Sequence, residues 1–166
     1  MERGVRAVTR RVLAHGVLPG LALLLALAAG FLNGQVRSGT ELEPGGIAAI
    51  QAAKDATVAL LSYRPATVER DLGAARDRLT GGFKDSYTSL TRDVVIPGAH
   101  RKQVSAVATV QAAASVSAQP NHAVVLVFVS QTTTERSGAP TVTASSVRVT
   151  LEKVDGRWLI SGFDPV

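Results

Sequence analysis

The chain of 166 residues contains no cysteine. Disulfide staples, thiol catalysis and zinc–thiolate sites are therefore excluded. Compartment is left open, because a bacterial extracytoplasmic domain can do without bridges. Histidine is almost as scarce, at three residues: His15, His100 and His122. No histidine pair has metal-ligand spacing, and there is no P-loop, no dinucleotide-binding glycine pattern and no nucleophile elbow. Gly81-Gly82 lacks the following Lys-Ser/Thr of a phosphate-binding loop and reads as a helix break. Lys54-Asp55, Glu69-Arg70-Asp71 and Arg76-Asp77-Arg78 mix signs at helical spacing, as solvated helix faces do. His100, after a Pro-Gly break, and His122, in a turn, read as exposed loop histidines. No catalytic, cofactor-binding or metal-ligating residue is assigned on this basis.

A basic face is also missing. Five arginines (Arg3, Arg6, Arg10, Arg11 and Arg37) stand against Glu2 in the first 37 residues, whereas the rest holds 13 basic and 12 acidic side chains. The high pI of about 10.2 is thus a property of the N-terminal tip. Phosphate recognition needs a basic surface, so nucleic acid is not expected as a partner.

What is present begins with residues 12–32, which hold eight leucines and no charged residue. Roughly 20 such residues can cross about 30 Å of hydrocarbon as a helix. Basic residues before the run, and Glu41 and Glu43 after it, predict a single-pass anchor with residues 1–11 as a cytoplasmic tip. A cleaved signal peptide is the competing reading, with Ala26-Leu27-Ala28 as its processing site. Either reading puts the body outside the cytoplasm. Residues 33–46 form a linker punctuated by Asn33-Gly34, Ser38-Gly39 and Pro44-Gly45-Gly46.

The body, residues 47–166, starts with three amphipathic helices. The first runs from Ile47 to Tyr63, with Ile50, Ala53, Thr57 and Leu60 or Leu61 on one face and Pro65 as its stop. The second places Val68, Leu72, Ala75 and Leu79 on a stripe after Thr67. The third shows Phe83, Tyr87, Leu90 and Val94 and is expected to end at Pro97-Gly98.

Strands follow. Gln103–Val116 alternates through Val104, Ala106, Ala108 and Val110. Ala123–Thr134 opens with six consecutive large apolar residues, Val124 to Val129, the mark of a strand covered on both faces. Thr141–Val154 alternates Val147, Val149 and Leu151 with Arg148, Thr150 and Glu152. Asp155-Gly156 predicts a two-residue hairpin into Arg157–Phe163, where Trp158 and Ile160 oppose Leu159 and Phe163. Trp158 is expected to be a core residue. Helices first and strands after predict an α+β domain, with three helices packed on a curved antiparallel sheet of about four strands.

Within the central strand, size suggests that Val124, Leu126 and Phe128 face the helices. Val125, Val127 and Val129 then form an apolar face left for a protein partner.

The ordered segments L-L-S-Y (Leu60–Tyr63), V-E-R-D-L (Val68–Leu72), L-T-G-G-F-K-D-S-Y (Leu79–Tyr87), V-V-I-P-G-A (Val94–Ala99), V-L-V-F-V-S-Q-T-T-T (Val125–Thr134) and V-D-G-R-W-L-I-S-G-F-D-P-V (Val154–Val166) follow a basic tip and one anchor. As a set they resemble the Mce-associated membrane proteins of actinobacteria, over essentially the whole body and the anchor. The resemblance implies an NTF2-like or VirB8-like body and an accessory or scaffold role beside lipid-importing Mce transporters. It brings no catalytic residues and no cofactor. Implied partners are Mce transporter subunits or a second copy, with the bilayer met through the N-terminal helix. The competing function is an NTF2-like pocket that binds a small lipid or turns it over as an isomerase or cyclase does. Fold alone does not separate the two.

Overall fold

The structure, a computed structural model, describes residues 44–136 and 138–166. The anchor expected at residues 12–32, the tip before it and most of the linker lie outside the described residues. Among the described residues, no helix is long and apolar enough to cross a membrane.

Helix α1 spans Pro44–Leu61, and Pro65–Thr67 forms a single 3-10 turn. Helix α2 covers Val68–Arg76. Helix α3 (Gly81–Leu90) continues through a π-helical turn, Thr91–Val95, into α4 (Ile96–Lys102), so 81–102 is one continuous helical segment. Strands β1 (Val104–Ala118), β2 (His122–Glu135), β3 (Thr141–Val154) and β4 (Arg157–Pro165) form one antiparallel sheet in chain order. The expected plan of three helices on a four-stranded antiparallel sheet is what the chain adopts.

Helix α1 lies on the sheet, mainly against β1 and β2; α3 touches β4, α4 touches β1, and α2 rests on the other helices. The face of α1 that meets the sheet is built from Ala49, Ala53, Ala56, Thr57 and Leu60, all buried. Small side chains let the helix axis come close to the strands, and a valine-sized layer fills what remains. That layer consists of Val125, Val127, Val129, Val147, Val149 and Leu151, with Ile160 and Leu79 beside them.

The two faces of β2 are therefore the reverse of the sequence expectation. Val125 and Val127 are 0% exposed and Val129 only 4%, so these three are core and do not form an open partner face. Phe128 is 43% exposed, and Val124 and Leu126 are half-buried on the side away from the helices. Register explains the inversion. Val125 pairs with Val149 and Val127 with Val147, whereas Leu126 pairs with Arg148. The alternation of β3 turns Arg148 and Glu152 outward, and cross-strand partners share a face.

Two other expectations change for local reasons. Helix 81–102 does not end at Pro97-Gly98. The Ile96 N–H reaches the Thr91 carbonyl five residues back, a π-type bond, and Pro97 rides over the widened turn. The same turn changes the buried stripe. Residues four apart drift by about 40° per step around an α-helix, and a wider turn absorbs that drift. The inward stripe becomes Phe83, Tyr87, Thr91, Val95 and Ala99, while Leu90 and Val94 are exposed. In β4, an extra residue near Ser161 shifts the register between Thr150 and Leu151. Phe163 thereby shares the inner face with Ile160 and stacks on Phe83 at 6.2 Å. The Asp155-Gly156 hairpin forms as expected, both residues having positive φ (49° and 78°) as a type I′ turn requires.

The last turn of α1 is fastened from the sheet side. Gln131 Nε2 donates to the Leu61 carbonyl at 2.8 Å, and the Tyr87 hydroxyl donates to the Leu60 carbonyl at 3.3 Å. These side chains satisfy carbonyls that a helix end leaves without partners. Tyr63 then pairs with Ala106 through two 2.9 Å backbone bonds, and Ser62 Oγ accepts the Ala108 N–H at 2.9 Å.

Candidate protein-interaction surface

Among the described residues, the sheet face turned away from the helices carries exposed and half-buried apolar side chains. Along β2 it presents Val124, Leu126 and Phe128, flanked by Ala112 and Ala114 of β1 and by Ser146, Arg148 and Thr150 of β3. A groove of about 460 Å³ runs along it, lined by Gln111, Phe128, Ala144, Ser146, Pro165 and Val166. Phe128 is its one aromatic side chain, and Val166 at its end is exposed. The surroundings are small and uncharged near the groove, with Arg148 and Asp164 paired across β3 and β4 further along.

A second groove, of about 570 Å³, opens between α1, α2 and β4. Gln51, Asp55, Asp77, Arg78 and Arg157 stand around Trp158 there. Trp158 is packed on the core as expected. The Lys153 ammonium sits 5.7 Å from its ring centroid, a cation–π distance. The indole N–H is buried without an acceptor.

The two histidines of the body are not brought together. His100 Nε2 lies 2.7 Å from Glu69 Oε1 in an exposed pair between α4 and α2, and that bond holds the Glu69 carboxyl below its usual range. His122 is exposed at the start of β2, opposite Glu152. Asp71 is also held low, first by the Thr67 hydroxyl that donates to it at 2.6 Å. Burial raises the Tyr87 phenol far above its ordinary value and raises Tyr63 less. Each shift follows from burial or from a local side-chain hydrogen bond. Among the described residues, no group of three or more metal-ligating side chains converges. What the geometry offers is apolar contact and backbone pairing.

The sequence reading missed Phe128 as the exposed member of β2. The signal was available in β3, whose clean alternation fixes the outer side of the sheet.

A meander of four antiparallel strands behind a long first helix is the fold of VirB8-type domains. The structure superposes on the periplasmic domain of DotI with a TM-score of 0.60 at 16% identity, covering 77% of this chain and 99% of that one. VirB8 from Agrobacterium tumefaciens gives 0.60 at 12% identity, over 77% of this chain and 96% of that one. At such identities the likeness is one of fold. A family model described as uncharacterized protein Rv1363c/MT1408-like matches residues 13–166, and the chain belongs to that family. Among its relatives is a Mycobacterium tuberculosis protein named outer membrane protein Rv1973, 58% identical over 156 residues, or 94% of this chain and 98% of that protein. The uncharacterized protein Rv1362c of the same species is 44% identical, over 90% of this chain and 71% of its own length.

Proposed function

We propose that the chain is a membrane-anchored, non-enzymatic accessory subunit of an Mce-type lipid import system in the cell envelope. In this reading residues 12–32 are retained as a single-pass anchor, residues 1–11 stay in the cytoplasm, and the body stands outside it. The observation that carries the reading is the ordered set of segments from Leu60–Tyr63 to Val154–Val166 behind one apolar run. A VirB8-type body supports it, since the DotI domain of the same fold is described as periplasmic. So does the name outer membrane protein carried by a relative at 58% identity. The open β2 face around Phe128 gives such a subunit an apolar surface for a transporter component. Purification of the full chain from native membranes in mild detergent should bring Mce subunits with it. Recovery without any Mce subunit would refute the role.

One observation favours a second reading, a lipid-binding pocket: the groove beside Trp158. Saturable quenching of Trp158 fluorescence by a fatty acid or a sterol would support that reading over the first.

A further inference from the structure

The sheet has two outer strands, and the chain treats them differently. On β4, the segment after α2 closes the edge: the Thr80 N–H bonds the Ile160 carbonyl and the Ile160 N–H bonds the Arg78 carbonyl, both at 2.9 Å. On β1, Ser62 and Tyr63 close only the first part, up to Ala108. From Val110 to Ala118 no described residue pairs with the outward side of the strand. Its free N–H and C=O groups form a template for another strand.

Outer strands are ordinarily protected by lysine, by proline or by inward charges. Here β1 carries no charged residue and no proline along all of Val104–Ala118, whereas β3 and β4 carry Arg148, Glu152, Lys153, Arg157 and Asp164. The unpaired part is Val-Gln-Ala-Ala-Ala-Ser-Val-Ser-Ala, small throughout, and Val116 is 65% exposed. Its pairing to β2 shifts at Gln111 and at Val116, leaving Ala112–Ser115 as a regular stretch between the two irregularities.

We infer that this edge is a self-association site, where β1 of one copy pairs antiparallel with β1 of a second copy and joins two sheets into one of eight strands. A two-fold axis between strands must set one residue opposite its own copy. Placed at Ala114, it sets Ala113 opposite Ser115 and meets no like charge anywhere along the pair. A segment of mixed charge would face itself with repulsion; this one is neutral and small enough for close approach from either side.

The lack of cysteine provides a clean test, because any introduced thiol is the only one present. Full-length chain carrying Ala114→Cys should form a disulfide-linked dimer in native membranes under mild oxidation, at least tenfold more than Val142→Cys, an exposed position on β3 away from the edge. Mixed chains carrying Ala113→Cys and Ser115→Cys should cross-link to one another more than either does to itself. Ala114→Lys should convert a sedimenting dimer of the detergent-solubilised chain into a monomer while the circular dichroism spectrum stays that of the folded parent. Cross-linking of Ala114→Cys no greater than that of Val142→Cys would overturn the inference, as would linkage to a different protein or a dimer that survives Ala114→Lys. Copurification with a transporter is read separately, so the functional role and the self-pairing stand or fall independently.

Discussion

Reversing the polarity of β2 one residue at a time separates its two faces. Val127 is fully buried under α1, between Ala113 of β1 and Val147 of β3. Truncation to alanine removes about 2–3 kcal/mol, the transfer value of a buried valine plus the cavity left behind. Val127→Asp is harsher, because a carboxylate without a partner costs several kcal/mol more. Set against a total stability of about 5–15 kcal/mol, that change should leave little folded protein. Phe128 is the contrasting case. At 43% exposure it has buried only part of its ring, so Phe128→Ala should cost about 1–2 kcal/mol, below the usual range for a core phenylalanine. Phe128→Asp puts its carboxylate in water and should stay folded. Circular dichroism melts of the two aspartate variants give the answer, with about 3–5 °C expected per kcal/mol at this size. If Val127→Asp melts like the parent and Phe128→Asp does not fold, the assignment of the two faces is wrong.

Three further outcomes are expected. Trp158→Ala should cost about 2–4 kcal/mol, since the indole packs on the core but keeps part of its surface in water, and the parent emission should be blue of free indole. Gly156→Ala should cost about 1 kcal/mol in a denaturant titration, because φ at this position is 78° and only glycine accepts it without strain. Thr67→Val should raise the Asp71 pKa towards the ordinary carboxylate value in an NMR titration. A depressed folded-state pKa adds stability that is present above the unfolded value, about 3.9, and is lost as pH falls through the folded value. The variant should therefore be less stable than the parent at neutral and alkaline pH, and the two should converge as pH falls below the folded-state pKa of Asp71.

Most of the architecture is legible in the sequence because its signals are local. Pro65, Gly81-Gly82 and Asp155-Gly156 punctuate the chain where the elements change, and the β3 alternation survives folding residue for residue. The errors arose where a feature depends on something distant. The inner face of β2 is set by its pairing with β3 and by an alanine-built helix more than 60 residues earlier, not by the size of its own side chains. The π-turn at Thr91–Val95 and the extra residue near Ser161 each shift a stripe by one position, and periodicity reads through such shifts. The three valines expected to face a partner lie in the core, and the exposed side of the same strand carries Phe128. The unpaired half of β1 was not legible at all, because edge status belongs to the sheet and not to the strand.

The fastening at the end of α1 also dictates an order of assembly. Gln131 lies 70 residues beyond the Leu61 carbonyl it caps, and Ala108 lies 46 beyond the Ser62 hydroxyl that receives its N–H. The strands, by contrast, pair only with their neighbours in the chain, so each ladder closes over a short loop at little entropic cost. A chain emerging from its N-terminus therefore presents α1 first and gives it a seat last. Until β1 and β2 have both been made, the alanine face lacks the sheet it lies on. The helix that leads the body in sequence is the one that waits for the sheet.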